Sequence, residues 1–195
     1  MDWDIETALV ARLRAGDPDA FDVVHDAYHA RLYNFLARLS RRRDVAEDLL
    51  AETWLRLVAH AGRLQDDTRL GPWLYTVARN LFYGYCRSRA LDDASAAGLI
   101  GLWPTGTPRP SPFEETAVRE LERRVERALA ALPAPAREVL LLVGVEGLTP
   151  AEAAAVCGLS PTALRQRLSR ARAMLSQKLD SPAALPVAAP GAVTI

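Results

Sequence analysis

Cysteine is scarce in this chain: Cys86 and Cys157 are the only 2, and they stand far apart. A pair so placed builds no disulfide framework. Histidine is hardly more abundant, with 3 in all. His25 and His29, at i, i+4, can share a metal on one helix face. No cysteine or carboxylate partner set accompanies them at ligand spacing, so they read as surface histidines and no metal is expected. There is no HExxH, no phosphate-cradling glycine loop and no nucleophile–base set, so no catalytic residue or cofactor is expected. No apolar run approaches the about eighteen residues a membrane span requires. Met1-Asp2-Trp3-Asp4 is acidic where a secretion signal is basic, and the expectation is a cytoplasmic protein. Nor is there an excess of one charge. Lys and Arg total 24 against 24 for Asp and Glu, so no global field draws the chain to a polyanion.

What is present is charge segregation. Residues 148–178, LTPAEAAAVCGLSPTALRQRLSRARAMLSQK, read as two helices joined by a tight turn. Thr149 caps the first, with Pro150 at its first position and Glu152 three residues after the cap. Gly158 ends it. Ser160-Pro161 opens the second helix by the same device. On that helix Leu164, Leu168, Ala171, Leu175 and Leu179 form one apolar stripe, the expected buried face. The opposite side presents Thr162, Gln166, Ser169 and Arg170, flanked by Arg165, Arg167 and Arg172. From Pro161 to Lys178 there are four arginines, one lysine and no acid. A short helix, a glycine turn and a basic second helix is the shape that enters a DNA major groove. Local basicity within a neutral chain suits a reader of specific DNA.

The rest of the 195 residues, half of them apolar, also reads as helix. Ile5, Leu9 and Leu13 mark a short amphipathic helix. Asp17-Pro18 opens one that runs to about Leu39, with Phe21, Val24, Tyr28, Leu32, Phe35 and Leu39 at helical spacing. Asp44 and Glu47 suggest a capping box for the next helix, expected to bury Leu50, Trp54, Leu57 and Val58. Its other face shows Asp48, Glu52, Leu55 and Arg56, an acidic surface with one exposed leucine, which marks a docking face for a partner helix. From Pro72 to about Arg89 a further helix carries Leu74, Val77, Ala78, Leu81 and Tyr85 on its inner stripe. Thr76, Arg79, Asn80, Tyr83 and Arg87 lie outside. Basic, amide and aromatic side chains interleaved on one face suit single-stranded nucleic acid. Trp73, Tyr75 and Phe82 read as core.

Residues 91–113 hold four prolines and no sustained helical period, the signature of a linker. Within it residues 99–103, LIGLW, are apolar enough to pack on a domain or lie in a partner's channel. A second unit starts at Glu114. Its first helix is expected to turn Val118, Leu121, Val125, Ala128 and Leu129 inward, and a buried helix follows through Val139–Val143. The expected fold is therefore all-α: two small helical domains, residues 1–90 and 114–180, a flexible linker at 91–113, and a disordered Pro/Ala-rich tail at 181–195.

Two segments resemble the sigma-70 family of bacterial transcription initiation factors, and more narrowly its extracytoplasmic-function subfamily. AEDLLAETWLRL (residues 46–57) followed by WLYTVARN (residues 73–80) is similar to family region 2. LPAPAREVLLLVGVEGLTPAEAAAVCGLSPTALRQRLSRARAML (residues 132–175) is similar to region 4. The resemblance implies partners: RNA polymerase core, through the clamp helices of its largest subunit and its flap; promoter DNA; and an anti-sigma factor, which such proteins often have. It implies that Asp48, Glu52, Leu55 and Arg56 meet the clamp. It implies that Arg69 in the loop of residues 65–71, together with Thr76, Arg79, Asn80, Tyr83 and Arg87, binds and helps open the −10 element. Thr162, Arg165, Gln166, Ser169 and Arg170 then face the −35 element, with Arg167 and Arg172 holding phosphates or the domain core. The linker would thread toward the polymerase's channels.

The chain departs from the family pattern at several places. Gly84 stands where an aspartate is usual, and a helix-interior glycine costs about 1 kcal/mol against alanine, so a bend or loosening is expected there. Ala51 replaces a glutamine of the clamp-facing helix. Thr162-Ala163-Leu164 replaces a Gly-Thr-Val start, and Ala153 and Cys157 replace larger aliphatics. The rival function is a one-component helix-turn-helix regulator whose front half senses a ligand. Against it, the informative residues of the front half point outward rather than around a pocket.

Overall fold

The computed structural model describes residues 3–95 and 117–180. The apolar segment at 99–103, most of the expected linker and the tail lie outside the described residues. Those described contain no strand. Four helices form the first unit: α1 (Trp3–Arg14), α2 (Pro18–Ser40), α3 (Arg43–His60) and α4 (Leu70–Ser95), with a 3-10 turn at Ala61–Arg63. The second contains α5 (Ala117–Ala130), α6 (Ala134–Leu140), a π turn at Leu141–Val145, α7 (Pro150–Cys157) and α8 (Pro161–Asp180).

The local signals explain most boundaries. The Asp17 carboxylate accepts the backbone N–H of Asp19 at 3.0 Å and Pro18 opens α2. At Thr149 the capping box is complete: the hydroxyl accepts from Glu152 N, and the Glu152 carboxylate accepts from Thr149 N at 2.9 Å. Gly158 closes α7 at φ +64, a left-handed conformation that costs glycine little. Ser160 Oγ accepts from Ala163 N at 3.2 Å and begins α8.

Other expectations are corrected. No capping box forms at Asp44. The N-cap of α3 is Arg42, which has no side-chain cap bond, and Asp44 lies inside the first turn, paired with Arg42. Val58 is 61% exposed rather than buried, because it lies one residue past Leu57 and so a third of a turn off the inner face. Ile5 is also exposed; Val10 joins Leu9 and Leu13 in the core instead. Among the described side chains of α5, Ala128 and Leu129 are buried and Val125 is half-buried, while Leu121 is 57% exposed rather than turned inward; Val118 lies outside the described side chains. On α4 the buried line is Leu74, Tyr75, Ala78 and Phe82, with Val77, Leu81 and Tyr85 only half-buried. α4 also starts earlier and runs further than expected, continuing into the proline-rich stretch as far as Ser95.

α4 passes through Gly84 without a break. A Cβ there would meet only the far end of Arg87, at 3.9 Å. Gly84→Ala is therefore expected to stabilise the chain by about 0.5–1 kcal/mol, read as a rise of about 1–4 °C in the thermal midpoint.

The first unit packs α2 against α3 and α4 around Val24, Leu32, Phe35, Leu57 and Leu74; the second packs α6 and α7 against α8 around Val139, Leu141, Leu142, Ala153, Leu164 and Ala171. Cys157 is a small buried member of that second core, and burial pushes its thiol up to about 12. The two units also meet, α4 lying on α7 and α2 on α6.

Candidate nucleic-acid interface

The buried stripe of α8 decides which side chains face outward. Leu164, Leu168 and Ala171 are sealed against α6 and α7, so Thr162, Arg165, Gln166, Ser169 and Arg170 all emerge exposed on one side. Among the described residues their polar contacts are weak and local. Arg165 Nη2 donates to Thr162 Oγ1 at 3.3 Å, and Arg170 Nε to the Gln166 carbonyl at 3.3 Å. Among the described residues no carboxylate is paired with either arginine, which leaves both guanidinium groups available to phosphate or to a guanine edge. Arg165, Gln166, Ser169 and Arg170 line one shallow open depression. Arg167 is half-buried, on the side toward Glu138.

The α3 surface is likewise presented as expected. Leu55 is 63% exposed, and Arg56 Nε donates to Glu52 Oε1 at 2.7 Å one turn away. Asp48 is exposed beside them. Val58, which sequence spacing put in the core, instead extends the apolar patch begun by Leu55.

The α4 face is different. Asn80 and Arg87 are exposed, but the Thr76 hydroxyl donates back to the Pro72 carbonyl at 2.8 Å. Arg79 and Tyr83 turn toward the second unit. Arg79 Nε donates to Glu138 Oε1 at 2.6 Å, Tyr83 Oη donates to Glu138 Oε2 at 3.2 Å, and the Arg79 guanidinium lies over the Tyr83 ring. Burial raises both the Tyr83 hydroxyl and the Glu138 carboxyl above their ordinary values, the latter opposed by Arg79. Arg69 is held by α1: Glu6, 3% exposed, accepts from Arg69 Nε at 2.9 Å and from the Leu70 backbone N–H at 2.7 Å, capping α4. Arg69 also reaches Glu152 at 3.3 Å.

Sequence reasoning missed the residues that join the units. Tyr75 donates its hydroxyl to the Glu146 carboxylate, and Arg31 Nη2 donates to the Glu146 carbonyl at 2.7 Å. Arg137, 1% exposed, donates to the carbonyls of Leu129, Ala130 and Leu132 and, across the seam, to those of Arg38 and Leu39. A signal was present. α6 is 7 residues long and leads straight into an apolar run, leaving Arg137 and Glu138 no solvent face to occupy. His25 and His29 lie with ring centroids 4.4 Å apart and pack on Trp54. Among the described residues no group of three metal-ligating side chains gathers.

Two family models match the chain, "Sigma-70 region 2" over residues 24–91 and "Sigma-70, region 4" over residues 122–175. The RNA polymerase sigma factor CarQ of Myxococcus xanthus is 35% identical over 168 residues, 86% of this chain and 94% of that one. The chain belongs to the sigma-70 family. The extracytoplasmic-function (ECF) sigma factor EcfG of Rhodopseudomonas palustris is 37% identical over 145 residues, 74% of this chain and 77% of that one. Among solved structures, the sigma factor RpoE of Bartonella quintana, in complex with the anti-sigma factor NepR, superposes with a TM-score of 0.66 at 28% identity, covering 83% of this chain and 97% of that one. This sigma factor is thus a transcription initiation factor of extracytoplasmic-function type. Region 2 occupies the front half, where a one-component regulator would carry its sensor, and that alternative falls away. No described helix is long and apolar enough to cross a membrane.

Proposed function

We propose that residues 1–90 and 114–180 act as two separate binding domains on RNA polymerase core and promoter DNA, in the cytoplasm. Thr162, Arg165, Gln166, Ser169 and Arg170 read the −35 element in the major groove. Arg69, Thr76, Arg79, Asn80, Tyr83 and Arg87 take the non-template strand of the −10 element, a protein pocket for an unstacked base offsetting part of the opening cost. Asp48, Glu52, Leu55 and Arg56 dock the clamp helices, with region 4 meeting the flap. The single observation that carries this reading is the α8 surface: five polar side chains, two of them arginines with no carboxylate paired to them among the described residues, on the side opposite a sealed apolar stripe. An anti-sigma factor is a further partner, by analogy with the complex of the Bartonella quintana relative.

The test is saturable capture of bacterial core polymerase by the purified chain at moderate salt. Leu55 is the exposed apolar centre of the clamp face, and burying a glutamate there costs roughly 2 kcal/mol or more. Leu55→Glu is therefore expected to weaken capture at least about tenfold. Capture indifferent to Leu55 would move the docking surface elsewhere; no capture at all would remove the reading.

A further inference from the structure

Four ion pairs cross between the two units among the described residues, and all four have the same polarity. Arg31 pairs with Glu146 at 3.2 Å, Arg38 with Glu126 at 2.8 Å, Arg69 with Glu152 at 3.3 Å and Arg79 with Glu138 at 2.6 Å. The arginine comes from the first unit every time and the glutamate from the second. A seam made for packing alone has no need of such segregation, because mixed polarity would bind as well. Two of these arginines, Arg69 and Arg79, belong to the −10 face, and Tyr83 of that face also spends its hydroxyl on Glu138.

We infer that the glutamates of the second unit are an internal stand-in for nucleic-acid phosphate, occupying the first unit's cationic face and closing the free chain against single-stranded DNA. A carboxylate and a phosphate diester oxygen present the same acceptor chemistry to a guanidinium, so the two compete for the same donors. Glu138 and Glu146 are the inner pair, with side chains 0% and 3% exposed. Their buried carboxylates keep Arg79, Tyr83, Tyr75 and Arg31 engaged while the units touch. Glu126 and Glu152 form the outer pair, at 48% and 23% exposure. Separating the units takes the second unit's carboxylates away from all four arginines at once, while Glu6 of the first unit still holds Arg69. This inference rests on the −10 assignment proposed above.

The experiment uses the full chain and a short fluorescein-labelled DNA single strand of mixed sequence, read by anisotropy at low salt. Small-angle scattering of the same samples reports compaction. A chain closed about nine-tenths of the time binds about tenfold more weakly than its open form. Glu138→Gln with Glu146→Gln keeps the side-chain volumes and removes both inner charges, so it should bind about tenfold tighter and scatter as a more extended particle. Asp22→Asn with Glu122→Gln removes the same charge from exposed positions outside the four pairs and should change neither readout. Glu126→Gln, on the half-exposed outer pair and harmless to the core, should shift binding the same way by a smaller factor. A double variant no tighter than the charge-matched control, or one that stays compact, overturns the inference. Arg79→Ala is then added to the double variant to separate the two claims. Loss of the gained affinity places the strand on this face. Expansion with the gained affinity retained leaves the closure standing and removes Arg79 from the −10 assignment.

Discussion

Replacing Arg165 and Gln166 together by alanine is expected to reduce transcription from the cognate promoter by at least about thirtyfold, with binding of the variant to core polymerase unchanged. The proposed role of these side chains sets the size. A bidentate contact from arginine to guanine, or from glutamine to adenine, discriminates by about 1–3 kcal/mol, and two of them lost together multiply. The structure makes the substitutions clean. Both side chains are exposed, neither is in an ion pair among the described residues, and neither belongs to the stripe of Leu164, Leu168 and Ala171 that seats the helix. Alanine is also the best helix former, so α8 should persist. The check is run-off transcription on a promoter with its −35 element intact and on one with that element scrambled. The wild type should lose activity on the scrambled template, and the double variant should no longer distinguish the two. Equal activity of variant and wild type on the intact template would remove the reading face from α8.

The other large effect is structural. Arg137→Ala is expected to destabilise the chain by about 3 kcal/mol or more, since charge-assisted hydrogen bonds are each worth about 1.5–3 kcal/mol and carbonyls left dry carry a further cost. For a chain of this size that lowers the thermal midpoint by about 6–12 °C. The guanidinium lies where the C-terminal ends of α5 and α2 converge, donating bonds of 3.0, 3.2 and 2.7 Å to the carbonyls of Leu129, Ala130 and Leu132, and of 2.9 and 2.8 Å to those of Arg38 and Leu39. Two helix dipoles thus direct their negative ends at one cation. Burial and the neighbouring Arg41 pull its pKa down to about 10, which still leaves it charged at neutral pH. Lysine should not rescue, because one ammonium offers three donors from a single point where the guanidinium spreads five across a plane. Calorimetry of Arg137→Ala and Arg137→Lys checks both statements. A midpoint within a degree or two of wild type would mean that water replaces the side chain at little cost.

Much of the fold was legible because it is written in short-range chemistry. Asp17-Pro18, Thr149-Pro150 with Glu152, and Ser160-Pro161 each satisfy free helix N–H groups within a few residues, so each cap can be read without knowing its surroundings. Where that logic failed, the surroundings had intervened. Asp44 has the composition of a cap, but the left-handed turn at Arg41, φ 62, starts α3 early enough to place it inside the first turn. Val58 has the composition of a core residue, but helical phase carries it past the edge of the buried face.

By itself the sequence determined the helices, the two-part order and the exposed basic face of α8. Each depends on neighbours within a turn or two, where periodicity and capping act. Only the tertiary structure decided that Arg79 and Tyr83 face Glu138 and that Glu146 lies against Tyr75 and Arg31. These partners stand 59, 55, 71 and 115 residues apart. No local pattern encodes such a pairing. An arginine on an exposed stripe reads the same whether its counter-charge is a phosphate from outside or a glutamate from the far half of the chain, and only the packing of α4 on α7 and α2 on α6 selects the glutamate.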